Sequence, residues 1–162
     1  MCDCSEKKII KTEKGPKAIG PYSAATVVNH FVYTSGQIGL IPETGLLVEG
    51  GLEVETRQVL FNLKTILEES GSDLEHVMKT TVFLKDINDF AKMNSIYGDF
   101  FNVNPPARSA IQVAALPKGA LIEIEAVAVL THCECCENGC DCECECDCEE
   151  GKDCCCSTGT EK

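Results

Sequence analysis

Apolar residues recur at three- and four-residue spacing at Leu52, Val59, Leu60, Leu63, Ile66 and Leu67. This predicts a helix with one buried face that stops near Gly71. Phe90, Met93, Ile96, Tyr97, Phe100 and Phe101 repeat the pattern. The second helix starts near Asp86 or Asn88, either of which can cap it, and it cannot pass Pro105. Period-two or continuous apolar runs predict strands over 24–28, 31–35, 77–85, 108–115 and 121–130, with a weaker first strand over 8–12. The last of these alternates Ile122, Ile124, Ala126 and Ala128 with Glu123, Glu125, Val127 and Val129, so it becomes apolar on both faces towards its end. Val28-Asn29-His30-Phe31 reads as a hairpin turn. Strands, then helix, strand, helix, strand and strand define an α+β domain with two helices on one sheet face. The other face is too apolar for water, and with no third helix the expectation is that other subunits cover it.

The chain has 162 residues, which suits one domain with a proper core. Composition divides it at residues 130–132. Residues 1–131 carry a net charge of −4 and residues 132–162 a net of −8, together the −12 of the whole chain. The first part is predicted to be the folded domain. The second holds no Leu, Ile, Val or Phe and cannot bury a core, so it is expected to be disordered unless metal or oxidation orders it. An acidic balance without a basic patch argues against nucleic-acid binding. No apolar run approaches the roughly 20 residues that cross a bilayer, and Met1-Cys2-Asp3-Cys4-Ser5-Glu6 has no apolar leader core. No cysteine occurs between Ser5 and His132, as suits a reducing compartment. These features predict a cytoplasmic protein with no membrane association.

Few residues of the domain are candidates for chemistry. Gly20-Pro21 makes a rigid turn before a strand, and Ser35-Gly36 at a strand end lets a ligand approach a backbone N–H closely; both also read simply as turns. Arg108 opens a strand otherwise built of small and aliphatic residues, and only Arg57 joins it as an arginine. Its guanidinium suits a carboxylate, either a substrate's or that of a structural acid. Glu123, flanked by Ile122 and Ile124, is either a solvated strand residue or a base that holds and activates water. Tyr22, Thr34 and Ser35 have no matching histidine, since His30 lies in a turn and His76 before a strand. A Ser-His or Cys-His hydrolase is therefore disfavoured. The domain has no His and carboxylate cluster at metal-ligand spacing, and Gly50-Gly51 alone makes no phosphate loop.

Six colinear blocks carry a specific resemblance. They are Ala18-Ile19-Gly20-Pro21-Tyr22-Ser23, Ser35-Gly36-Gln37-Ile38-Gly39, Val77-Met78-Lys79-Thr80-Thr81-Val82, Asp86-Ile87-Asn88-Asp89-Phe90, Met93-Asn94, and the stretch from Pro106-Ala107-Arg108-Ser109 through Leu116-Pro117-Lys118-Gly119 to Glu123 and Ala126. With them residues 7–131 resemble the RidA (YjgF) family of enamine/imine deaminases nearly end to end. The resemblance implies a chorismate-mutase-like α+β fold, a homotrimer with a site in each cleft between subunits, and hydrolysis of 2-iminobutanoate and 2-iminopropanoate to 2-oxo acids and ammonia without any cofactor. Carried over by motif, Arg108 clamps the substrate carboxylate and Glu123 holds the attacking water. Ser35 and Gly36 line the pocket floor. Tyr22 and Asn94 shape its wall, with Asn94 supporting the arginine. Two positions depart from the family pattern. Pro105 stands where an aromatic residue is common, and Ala110 where many bacterial members have cysteine, so switching through a thiol at that pocket position is not expected.

The segment beyond His132 is an extension to that pattern. Cys133, Cys135, Cys136, Cys140, Cys142, Cys144, Cys146 and Cys148 form Cys-x-Cys and Cys-Cys steps among acids, and Cys154-Cys155-Cys156 ends the tract. This resembles metallothionein-like soft-metal ligation, suited to Zn²⁺ or Cu(I). A readily oxidised low-complexity tail without a ligand is the competing reading. The alternative to an enzyme is accordingly a metal-buffering or stress-related, holdase-like trimer that carries such tails.

Overall fold

The computed structural model describes residues 6–131. The tail cysteines, Cys2, Cys4 and His132 lie outside the described residues, and with them the readings of metal binding and disorder made for residues 132–162. Within the described residues the chain builds β1 (Lys8–Ile10), β2 (Ala25–Val28), β3 (Phe31–Thr34), β4 (Gln37–Ile38), α1 (Leu52–Glu69), β5 (Val77–Leu84), α2 (Phe90–Phe100), β6 (Ala107–Gln112) and β7 (Ile122–Val129). One mixed sheet runs in the order β1-β2-β3-β7-β5-β6, with β4 also paired to β7. Every pair is antiparallel except β5 with β6, which are joined through α2.

The helices form where the periodicity puts them. Leu60, Leu63, Ile66 and Leu67 of α1 are fully buried, as is Met93 of α2. They pack on Val32, Val82, Leu84, Ile122, Ile124 and Ala128 of the sheet. Helix α1 ends at Gly71, whose φ of 81° fits a left-handed cap. The Ser72 N–H donates to the Leu67 carbonyl at 2.9 Å and closes the last turn. Before α2 runs a single 3₁₀ turn, Ile87–Asp89, whose Asn88 N–H donates to the Asp86 side chain at 2.9 Å. Truncating a side chain in this layer leaves a void that the packed helices cannot close. Leu63→Ala is expected to lower the unfolding free energy by about 2–5 kcal/mol, which urea denaturation measures.

The alternation in β7 divides the sheet into two unlike faces. Ile122, Ile124, Ala126 and Ala128 are buried under the helices, whereas Glu123, Glu125, Val127 and Val129 stay half-exposed on the other side. On that side register aligns Tyr33 with Val127 and Phe31 with Val129. Both rings are more than two-fifths exposed, and so is Ile9 in line with them on β1. Among the described residues no element of the chain packs over this face, which is the uncovered apolar surface the sequence predicts.

Two strand ends and one further strand differ from the pattern-based reading. Strand β1 ends at Ile10 because residues 12–14 turn away onto α1. There the Glu69 carboxylate accepts hydrogen bonds from the Thr12 hydroxyl and from the N–H groups of Glu13 and Lys14. Strand β6 ends at Gln112 rather than Ala115, because its partner β5 is used up at Leu84, which pairs with Gln112. Strand β4 is two residues long and was not foreseen.

Candidate active site

A pocket of about 290 Å³ opens where β4, the end of β3 and the start of β7 meet the loop that precedes β2. Its lining includes Tyr22, Ser35, Gly36 and Glu123, four of the residues singled out from sequence, together with Lys17 and Gln37, which were not. Local bonds place Ser35, Gln37 and Tyr22. The Ser35 hydroxyl donates to the Ser23 carbonyl at 2.7 Å, and the Ser35 N–H donates to the Ala24 carbonyl at 2.9 Å. These two bonds fix the strand end against the pre-β2 loop. The Gln37 side-chain amide, itself buried, donates to the Ser35 and Gly36 carbonyls at 3.1 and 3.2 Å. Ile19 donates its N–H to the Tyr22 hydroxyl at 3.3 Å, so the Tyr22 ring folds back on its own turn while staying half-exposed.

Glu123 lies directly over Gly36. A Cβ built on Gly36 would stand 1.9 Å from Glu123 Oε1 and 2.7 Å from its Cδ. Glycine at position 36 is what lets the carboxylate sit there, since it occupies the volume a side chain would fill. Burial pushes the Glu123 carboxyl above the usual carboxylate range, and the negative charge of Glu125 adds to the effect. A half-buried carboxylate of raised basicity at the floor of a cleft is a competent proton acceptor for water.

Arg108 and Ala110 are not in this pocket. Register pairs Arg108 with Thr80 and Ala110 with Val82, both on the helix side of β5. Glu123 pairs with Phe83, on the other side. Strand β5 thus separates the two proposed catalytic residues, and within one chain they point to opposite faces. Arg108 packs under α2 at the sheet edge. Its Nη2 donates to Asn94 Oδ1 at 2.6 Å, and its guanidinium carbon lies 4.4 Å from the Tyr97 ring centroid and 5.5 Å from that of Phe90. Tyr97 is pinned in turn by a 2.7 Å hydrogen bond between its hydroxyl and that of Thr80. Among the described residues Asn94 is the side-chain hydrogen-bond partner of the Arg108 guanidinium. The guanidinium plane is thereby held in one orientation by the Asn94 bond and the two rings. Asn94 positions the arginine rather than the pocket with Glu123.

Among the described residues no three His, Cys, Asp or Glu side chains cluster as a metal site requires. No described helix is long and apolar enough to cross a membrane.

The α+β layer and the carboxylate-over-glycine pocket define a class of protein that comparison with known families makes specific. The family model described as endoribonuclease L-PSP matches residues 12–130, and the chain belongs to this family, which includes the RidA proteins. Among characterised relatives it is 54% identical over 123 residues to the human 2-iminobutanoate/2-iminopropanoate deaminase, covering 76% of this chain and 90% of that protein. It is 52% identical over 122 residues to a RutC family protein of Pyrococcus abyssi, covering 75% of this chain and 96% of that protein. Among solved structures, RidA from an Antarctic Psychrobacter superposes with a TM-score of 0.73 at 44% identity, covering 76% of this chain and 99% of that one. Escherichia coli TdcF with bound serine superposes with a TM-score of 0.72 at 42% identity, covering 75% of this chain and 98% of that one.

Proposed function

We propose that this chain hydrolyses small 2-imino acids, 2-iminobutanoate and 2-iminopropanoate and their enamine tautomers, to 2-oxo acids and ammonia. The observation that carries the reading is the Glu123 carboxylate seated on Gly36 in a cleft of small-molecule size, in a chain 54% identical to a deaminase of that name. The chemistry asks little more. An iminium carbon is already electrophilic, so the protein needs to orient the substrate and supply water. Glu123 takes a proton as the water oxygen adds to C=N, giving a carbinolamine. The proton passes from Glu123 to nitrogen; as ammonia leaves and the C=O bond forms, Glu123 takes the hydroxyl proton and releases it to water, so no redox partner or cofactor enters. Arg108 holds the substrate carboxylate and offsets its charge. Tyr22, Ser35 and Gly36 bound the pocket.

Because Arg108 and Glu123 face apart within one chain, this reading needs a second protomer to bring an arginine to each Glu123. The exposed aromatic face of Phe31 and Tyr33 supports such an assembly, which we take to be a homotrimer, active in the cytosol as the cysteine-free domain suggests. The acidic charge offers no track for phosphates, so RNA cleavage is the weaker reading of the family description. Soft-metal binding by the tail cysteines is independent of the deaminase chemistry. Anaerobic mass spectrometry after loading with zinc or copper tests it, and an absence of bound metal removes it.

The test of function generates the imine in place with a threonine dehydratase and follows 2-oxobutanoate formation against capture by semicarbazide. The protein is expected to accelerate ketoacid release, and no acceleration over buffer overturns the reading. The pH dependence follows from the direction of the Glu123 shift. The base must be ionised, and its carboxyl is held above the usual carboxylate value of 4.5. Turnover therefore falls as pH drops through a midpoint displaced upward from 4.5. An acid limb at or below that value contradicts Glu123 as the base.

A further inference from the structure

Strand β4 is too short to hold itself in place, yet it carries one side of the pocket. Its Ile38 is the register partner of Glu123, and Gln37 that of Ile124. What fixes it on its other side is Asn62, a polar residue only 2% exposed in the middle of α1. The Asn62 side-chain amide donates to the Ile38 carbonyl at 3.1 Å and to the Leu40 carbonyl at 2.8 Å, and its Oδ1 accepts from the Gln58 side chain at 2.9 Å. Both amide hydrogens are thus spent on the backbone leaving the pocket, and the partner from one turn earlier sets which way the amide points.

Seven residues before Asn62, two turns along the same helix face, stands a second buried polar group. The Glu55 carboxylate, 4% exposed, accepts the Leu121 N–H at 2.9 Å, two residues before Glu123. A Cβ on Gly39 would lie 2.4 Å from Glu55 Cγ, so β4 also runs hard against the helix at this point. Helix α1 therefore grips the two backbone segments whose separation sets the pocket, β4 through Asn62 and the entry to β7 through Glu55.

Buried polar side chains are costly unless satisfied, and an aliphatic residue at position 62 would pack in this helix face without the amide. We propose that Asn62, oriented by Gln58, is a positioning residue for the reaction: it clamps β4 so that Gly36 and Ile38 hold the Glu123 carboxylate in its seat. It touches no substrate and acts through the backbone of Ile38 and Leu40. The proposal rests on reading Glu123 as the base, and it predicts an effect on Glu123 itself that can be seen without turnover.

The experiment compares the full-length protein with Asn62→Ala and Gln58→Ala. Two readouts are used: ¹³C titration of the glutamate carboxyls, with Glu123 assigned by Glu123→Gln, and steady-state rates on imine generated in place. Glu125 on its own strand raises that carboxyl and Lys17 lines the same pocket, and neither is changed. In Asn62→Ala, β4 loosens and water reaches the carboxylate. The Glu123 titration midpoint is expected to fall towards the ordinary carboxylate value, with kcat lower by about tenfold and KM within about twofold. Gln58→Ala, at a half-exposed helix position, is expected to move both readouts in the same direction by a smaller amount, and it decides the matter if Asn62→Ala does not fold. A Glu123 midpoint and a kcat both unmoved in a folded variant overturn the proposal, even where thermal stability is lost, since that pattern belongs to a merely structural amide. A midpoint that moves in a protein without imine hydrolysis leaves the clamp standing and removes the deaminase reading instead.

Discussion

Gly36→Ala is expected to reduce kcat/KM at least about a hundredfold while leaving the fold intact, the range lost when a general base is displaced. Two features separate the catalytic cost from a folding cost. The backbone at position 36 is not in the left-handed region, so alanine meets no conformational strain there. The new methyl would instead stand 1.9 Å from Glu123 Oε1, about half the separation that carbon and oxygen tolerate. The atoms it meets are the end of a side chain, which can swing away, rather than backbone, which cannot. The carboxylate leaves its seat, and the cleft loses its proposed base. Thermal unfolding should therefore shift by only a few degrees, whereas the acid limb of the pH profile disappears along with the activity. Glu123→Gln should cost a similar factor, and the double variant Gly36→Ala with Glu123→Gln no more than either alone, because both remove one event. A Gly36→Ala protein that keeps its rate within threefold would show that the carboxylate does not work from this position.

Much of the frame was legible because packing leaves a periodic trace. The apolar stripe from Val59 to Leu67 is the buried face of α1, and the alternation from Ile122 to Val129 is the two-faced strand β7. What escaped the pattern is held by individual bonds. Two residues of β4 have no period, and their place comes from pairing with β7 and from Asn62, 24 residues beyond Ile38 on α1. The end of β6 depends on where β5 runs out, which is a property of the partner strand. The face of Glu123 could be read from its place between Ile122 and Ile124. That of Arg108 could not, because Ala107, Ser109 and Ala110 around it are too alike to show an inside and an outside; pairing with Thr80 decides it. Lys17 and Gln37 gave no sign of lining the pocket, since the folding of the pre-β2 loop brings the one and the closure of the Ser35-Gly36 turn the other.

The opposed placement of Arg108 and Glu123 leads to a mixing experiment with an all-or-none contrast. Arg108→Ala removes the proposed carboxylate clamp and Glu123→Gln the proposed base, so each homogeneous variant is expected to lose at least about a hundredfold in kcat/KM. When the two are unfolded together in equal amounts and refolded, chains associate at random. A site that takes its arginine from one protomer and its glutamate from the next is intact when the first chain is the Glu123→Gln variant and the second the Arg108→Ala variant. That occurs in about one site in four, so the mixture should recover roughly a quarter of the wild-type rate. A site contained in one chain cannot recover at all, because every chain in the mixture carries a lesion. Asn94→Ala supplies an intermediate case. It releases the 2.6 Å hydrogen bond that orients Arg108 without removing its charge, so KM should rise more than kcat falls, and mixing it with Glu123→Gln should restore activity as Arg108→Ala does. Recovery near a quarter assigns the two residues to different protomers of one site. A mixture as inactive as its components assigns the chemistry to some other arrangement of these side chains.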